Sequence, residues 1–499
     1  MESSRPVPSA SPDTTYPASD SDVESNATSA YDVAPMDLKY SDGELSWASA
    51  DSSSHVLRLK DEEIAIVTAK AAGGYQVLYI PPPETSVDKQ PFELRSISLT
   101  HLPGPFLDAH LFKALPTWLD PADGKNIHVL VSTLSGTGLA PAFYDAVLLP
   151  LLTAVGLSSS SYTTIKTESA DSVKDFAKST LLAGANAGKQ QTVLMLSGDG
   201  GMVDTINGLL EDEQRSSNYT KPVLVQLPLG TGNALFHSLH KTPNPSIASP
   251  YIQGLRTLLY GTPKPLPILS AEFSSGTRVL SNEGQTASPI PKSTLYGAVV
   301  ASYGLHATLV ADSDTTEYRK HGRDRFGIAA NNLLFPEGPE GKAFPHAYRA
   351  EVTLLRGQDE IKVPRKTHGY VLATLVSNLE KGFTISPDSE PLDSQLRVVH
   401  FGATSGLQAM EVMKAAYGNG SHIGMEWQGE AGVEEEGKTM KLGYEAVDGV
   451  KIEFQEPGED WKWRRCCVDG LIVGVEEGGW MVVKKVPQGR ECVDVVIDA

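Results

Sequence analysis

Thr192-Val193-Leu194-Met195-Leu196-Ser197-Gly198-Asp199-Gly200-Gly201 is the stretch that decides the fold. Its apolar run lacks polar alternation, so it describes a strand buried on both faces, as in a parallel sheet. The run stops at a glycine turn, and a helix is expected to follow. The same grammar recurs outward. Ile127-His128-Val129-Leu130-Val131 leads to Ser135-Gly136-Thr137-Gly138 and a helical stretch from Pro141 to Val155. Tyr162-Thr163-Thr164-Ile165 precedes a helix around Ser172 to Ala183. Val223-Leu224-Val225-Gln226-Leu227 ends in Pro228-Leu229-Gly230-Thr231-Gly232-Asn233. Strand, turn and helix in repetition predict an α/β domain with a parallel sheet over 123–260. Ligands in such sheets bind outside the carboxyl ends of the strands, where these glycine turns sit.

The flanks read differently. Residues 261–499 hold short β runs separated by Gly, Pro and Ser, and predict an antiparallel β-sandwich domain. Residues 54–122 predict a small β-rich region. Residues 1–53 are rich in Ser, Pro, Asp and Ala, and are expected to form a disordered tail that buries too little surface to offset its ordering entropy.

Composition narrows the function. Against 42 Lys+Arg stand 61 Asp+Glu, a net charge of −19 over 499 residues, which argues against a nucleic-acid partner held by a global basic field. Any bound anion needs a local cluster. Three cysteines, all late in the chain, make no disulfide framework and fit a reducing compartment. No apolar run approaches the roughly 18 residues of a membrane span, and the first residues lack a secretory pattern. The expectation is a cytoplasmic protein without a transmembrane segment.

A glycine turn lets backbone N–H groups approach a phosphate closely, and a following helix N-terminus adds a favourable dipole. Three such turns in one α/β unit point to phosphate binding. They match neither the Gly-Lys-Ser/Thr phosphate loop nor the Gly-x-Gly-x-x-Gly dinucleotide pattern. Leu196-Ser197-Gly198-Asp199-Gly200-Gly201, with Asn207-Gly208 on the next helix, resembles the Gly-Asp-Gly signature of the diacylglycerol kinase and sphingosine kinase family. Pro228-Leu229-Gly230-Thr231-Gly232-Asn233-Ala234 is similar to that family's Pro-x-Gly-Ser/Thr-Gly-Asn-Ala motif. Gly304-Leu305-His306-Ala307, the stretch Glu317-Tyr318-Arg319 to Arg325-Phe326, and Val468-Asp469-Gly470 resemble three further blocks in the same order.

The resemblance implies a two-domain fold like that of NAD kinases and diacylglycerol kinases, with an α/β ATP-binding domain and a β-sandwich lipid domain. It implies an ATP- and Mg2+-dependent lipid kinase acting on a hydroxyl of a sphingoid base, diacylglycerol or ceramide-like lipid presented by a membrane surface, hence possible peripheral association. Asp199 is the implied base. ATP contacts fall on Ser135, Gly136, Thr137, Gly138, Thr167, Ser197, Gly198, Gly200, Gly201, Gly230, Thr231, Gly232, Asn233, Arg319, Arg325, Asp469 and Gly470. Asp204 is the implied metal residue. Sphingosine kinases carry an Asp where ungapped alignment from Gly304 places Thr308. A two-residue shift would instead bring Asp312 or Asp314 to a substrate amine. The family's final motif continues to Glu, whereas Leu471 follows Gly470, and the first turn lacks the usual Asn-Pro. These departures support an alternative: a catalytically impaired member that binds lipid or nucleotide for regulation.

Overall fold

The computed structural model describes residues 31–32, 36–49, 52–82, 92–121, 126–133, 138–211, 215–241, 249–336, 345–430, 434 and 436–498. Its centre is a six-stranded sheet in the order Thr262–Pro265, Asp494–Ile497, Val223–Pro228, Gln191–Ser197, Asn126–Val131, Thr163–Lys166. The last five are parallel, in register through Val223↔Asp494, Thr192↔Val223, Thr192↔Ile127 and His128↔Thr163; Thr262–Pro265 runs antiparallel at the edge. Alternate residues feed opposite layers. Val193 and Met195 pack with Met202, Ile206 and Leu209 of the Asp199–Leu210 helix. Leu194 and Leu196 pack with Leu148, Leu151, Leu255 and Leu258 on the other side. Both faces are therefore apolar, which is why the strands read as unbroken hydrophobic runs.

Asp494–Ile497 had been expected in the sandwich domain. It instead inserts beside Val223–Pro228, because Val495 and Val496 supply one apolar side chain to each face of the sheet. Thr262–Pro265 joins this sheet too.

The intervening chain forms the antiparallel domain. Val300–Gly304 lies between Thr367–Thr374 and Arg465–Val468, and Leu396–Gly402 extends the same sheet. Tyr348–Arg356 pairs at its start with His368 and Thr367 and otherwise with Gly449–Phe454, linking two sheets across one core. Leu269, Tyr303, Val352, Val398, Met481 and Val483 are fully buried in it. The stretch 465–475, which reads as one strand, is a hairpin. Val468 pairs with Leu471 across a two-residue Asp469-Gly470 turn whose φ values are 48° and 91°. Asp-Gly suits that mirror-image turn. Helices at Leu305–Ser313, Arg325–Leu334 and Gly406–Tyr417, not foreseen from the sequence, pack in succession outside the sheets.

Upstream, Met36–Ser41, Glu44–Ser49 and Ser52–Lys60 form an antiparallel sheet. A second sheet contains Ile64–Ala69, Tyr75–Tyr79 and Arg95–Leu99, with the Gly104–His110 helix beyond it. The expected tail thus gives way to strands before residue 53. The reason is the alternation in Leu45-Ser46-Trp47, which buries Leu45 and Trp47 against Phe106 and Val77. Arg256 fastens this module to the α/β domain by donating to the carbonyls of Asp61 and Ile64.

Candidate active site

Two glycine turns meet at the carboxyl ends of the central strands. A Cβ at Gly230 would lie 2.3 Å from the Gly198 Cα, and one at Gly198 would lie 2.9 Å from the Gly230 Cα. Only glycine permits that backbone contact. The second turn is closed by Asn233, which sits in the left-handed region (φ 52°, ψ 46°). Its side-chain oxygen accepts from Gly230 N–H at 3.0 Å, while its amide donates to the carbonyls of Pro228 and Gly230. Asparagine is the side chain that tolerates this backbone and supplies both polarities.

Asp199 begins the Asp199–Leu210 helix but points at another. Its carboxylate accepts from Ala234 N–H at 2.7 Å and from Leu235 N–H at 3.0 Å, so it anchors the first turn of the Ala234–Leu239 helix. Burial pushes its pKa up, against the opposing pull of those N–H groups. A carboxylate keeps spare lone pairs after two such bonds, so anchoring and accepting a proton are compatible. Beside it, a Cβ on Gly200 would meet nothing within 4 Å, leaving the helix N-terminus open to an anion. Ser197 is buried, and a Cβ on Gly201 would strike its Oγ at 2.4 Å, so these two residues pack the turn.

Asp469 resembles Asp199 in its surroundings. It accepts from the backbone N–H groups of Ala298, Val299 and Val300, at 2.6, 3.1 and 2.5 Å for the shortest bond of each. Burial first, and the charge of Asp199 among lesser causes, raise its pKa to about 7, opposed by the three backbone N–H groups. The two acids therefore sense one another across the junction of the two domains. Leu471, two residues on, packs against the sandwich core.

That junction is tied on both sides. Asn207 donates to Tyr296 C=O at 2.8 Å and accepts from Tyr296 N–H at 3.0 Å. Ser238 accepts from Asn378 N–H at 3.0 Å and donates to its carbonyl. A Cβ at Gly232 would lie 3.1 Å from the Leu379 carbonyl. Sequence reasoning noted Asn207 as part of a motif without its tethering role. Its partner lies 89 residues away, so no local pattern carried the signal.

Other expected residues are more scattered. Ser135, Gly136 and Thr137 lie outside the described residues; Gly138 has φ 69°. Thr167 is buried and ties the first turn to the second strand, accepting from Thr133 N–H at 2.9 Å. Asp204 has Lys174 and Asp171 as its charged neighbours, and burial raises its pKa to about 7. Among the described residues no three His, Cys, Asp or Glu side chains converge as a metal set. The acids that sense one another are Asp199 and Asp469. Mg2+ needs only one or two carboxylates beside water and substrate phosphate, so the lack of a three-residue set does not conflict with it. Arg319 and Arg325 are brought together, but around an acid. Arg319 donates to Asp314 at 2.7 and 3.1 Å, and Arg325 donates to it at 3.0 Å. Thr308 is buried and accepts from Tyr348 Oη at 2.8 Å; Asp312 pairs with Arg465 at 2.9 Å. No helix of the described residues is long and apolar enough to cross a membrane.

Comparison with known proteins agrees with the geometry. Residues 126–262 match the diacylglycerol kinase catalytic domain family. The chain is 25% identical over 294 residues to sphingosine kinase 2 of Homo sapiens, covering 56% of this chain and 38% of that protein. It is 27% identical over 221 residues to sphingosine kinase 1 of Homo sapiens, covering 42% and 50% respectively. The matched regions thus span half or less of those relatives' length. A solved diacylglycerol kinase structure from Bacillus anthracis superposes with a TM-score of 0.44 at 14% identity, covering 75% of this chain and 97% of that one. With its glycine turns and its two-domain plan, the chain carries a diacylglycerol kinase catalytic domain over residues 126–262 and is similar to the sphingosine kinases.

Proposed function

We propose that the protein is an ATP-dependent lipid kinase that phosphorylates a hydroxyl of a sphingoid, ceramide-like or diacylglycerol lipid drawn from a membrane surface by a cytoplasmic enzyme. One observation carries this reading. The Asp199 carboxylate is held at the junction of two glycine turns pressed backbone to backbone, beside an open helix N-terminus. Phosphoryl transfer asks for positioned phosphates and for a group that accepts the hydroxyl proton. The N–H groups of the 198–201 and 230–233 turns cradle phosphate oxygens. Asp199, made more basic by burial, takes the proton from the lipid hydroxyl. Asp469 would help to hold Mg2+, which would neutralise charge on the transferring phosphates. Arg319 and Arg325 supply positive charge once released from Asp314.

A second reading, a non-catalytic lipid or nucleotide binder, is favoured by two details. Both arginines are already engaged by Asp314, and Leu471 packs against the sandwich core where the family pattern expects an acid. Incubating the purified protein with labelled ATP, Mg2+ and a panel of sphingosine, ceramide and diacylglycerol tests the choice. Labelled lipid product is expected; lipid or ATP binding without product would establish the second reading.

A further inference from the structure

One carboxylate engages both Arg319 and Arg325. Arg319 presents its fork to Asp314, with Nη2 at 2.7 Å from Oδ2 and Nε at 3.1 Å from Oδ1, and Arg325 Nη1 shares Oδ1 at 3.0 Å. A guanidinium fork grips the edge of a carboxylate as it grips the edge of a phosphate, so the two anions compete for the same donors. The match to Asp314 is incomplete. Arg325 gives it a single bond, and its Nε is buried with no hydrogen-bond partner among the described residues. Its guanidinium lies 4.8 Å from the centre of the Phe326 ring. An unpaired buried donor on a charged group is costly, and a phosphate brings more acceptor oxygens than a carboxylate.

The backbone around the acid is held, while the outer arginine is loose. Asp314 follows directly on the Leu305–Ser313 helix. Just before it, the Asp312 carboxylate meets Arg465 at 2.9 Å, and the Asp312 carbonyl accepts from Thr315 Oγ1 at 3.0 Å. Just after it, Glu283 accepts from Thr316 N–H at 2.7 Å. The Arg319 side chain is 59% exposed and ends a flexible stem, so it leaves the acid by turning about its own bonds. Arg325, 17% exposed, gives up one bond. Exchange of Asp314 for another anion therefore asks for side-chain rotation and leaves the segment in place.

We infer that Asp314 is a built-in competitor of nucleotide phosphate: it contends with ATP for Arg319 and Arg325, lowers the affinity for phosphate-bearing nucleotides, and retakes the pair as ADP leaves. The inference rests on the lipid-kinase reading for ATP as the ligand of the two arginines.

The test measures ATP and adenosine binding by calorimetry on the full chain, with lipid phosphorylation followed on the same preparations. Asp314→Asn should tighten ATP about fivefold, the scale of an exposed ion pair released, and leave adenosine unchanged. Asp314→Ala, which keeps no acceptor, should tighten ATP at least as much. In protein already carrying Arg319→Ala and Arg325→Ala, Asp314→Asn should gain little, whereas a mere loss of nearby negative charge would act there too. Unchanged or weaker ATP binding by both Asp314 variants overturns the inference, because the acid would then be ordering the arginines for ATP; that comparison does not depend on the arginine variants folding. An equal gain without the arginines, or an equal gain for adenosine, overturns it as well. Tighter ATP binding by the Asp314 variants with no product from sphingosine, ceramide or diacylglycerol would sink the kinase reading and leave the competition standing. Lipid product with ATP affinity indifferent to Asp314 would do the reverse.

Discussion

Replacing Asp199 with Asn removes two things at once, and the structure separates them. The carboxylate accepts two backbone N–H bonds, at 2.7 and 3.0 Å. An Asn side chain has one oxygen to offer, and its amide turns a donor toward the second N–H. Losing one charge-assisted bond costs about 1.5–3 kcal/mol of local stability. Sequence alone suggests a nearly isosteric change that leaves the fold untouched, and the anchoring role corrects that. The chemical loss should be larger. General base catalysis contributes typically 10²–10⁴-fold, so turnover of labelled ATP into lipid product should fall by about that factor. Three readouts on one preparation resolve the terms: product formation, ATP binding by calorimetry, and thermal melting. A modest drop in melting temperature, with ATP affinity changed far less than turnover, is the expected pattern. Turnover above a tenth of wild type, roughly 1.4 kcal/mol of barrier, refutes the base assignment. Loss of ATP affinity matching the loss of turnover refutes it as well and leaves Asp199 a structural anchor.

Three further outcomes are expected. Arg319→Ala with Arg325→Ala should weaken ATP far more than adenosine, since guanidinium forks pair with phosphate; equal losses in a binding titration would make the arginines structural. Gly230→Ala should lower the melting temperature and ATP affinity together, its Cβ falling 2.3 Å from a backbone atom, whereas Gly200→Ala should melt like wild type because its Cβ meets nothing within 4 Å. Equal melting of the two variants would dismiss the close approach of the turns. His306 is held neutral, its pKa lowered by burial to about 4 from 6.5. The unfolded chain binds the proton first, so this stability is whole above pH 6.5 and is lost as pH falls through 4, by about 3 kcal/mol at most. His306→Asn, which keeps an acceptor toward Ser302, should melt with a shallower acid-side decline than wild type, and an unchanged slope would count against it.

The central sheet was legible because burial on both faces leaves a local mark, an unbroken apolar run ending in glycine. Asp199 and the 230–233 turn were legible as motif. What Asp199 grips was not, because Ala234 and Leu235 take part through backbone N–H groups that carry no side-chain signature. The Asp469-Gly470 turn was written in the sequence as an Asp-Gly pair and was overlooked inside a β-rich run. Arg465 and Asp312 lie far apart in the chain, and no periodicity joins them. The outer helices were missed for a related reason. Leu305–Ser313 follows directly on a buried strand, so its apolar residues read as more of the same texture.

The strand Asp494–Ile497 sets a timetable for how the protein is made. It fills the slot between Val223–Pro228 and Thr262–Pro265, yet it leaves the ribosome more than 200 residues after them. Until then the central sheet carries an open edge at Val223–Pro228, a template for pairing with other chains. Closing such a long loop is slow, and partly assembled sheets are prone to aggregate. A fragment cut to residues 126–262, the span of the family match, would keep every glycine turn and lack the strand that seals them. Expression of the isolated domain should therefore demand the Asp494–Ile497 segment, supplied in tandem or as a separate peptide. A bulky group placed directly after Asp494–Ile497 would press on the sheet that carries the glycine turns, far from where the primary structure suggests harm.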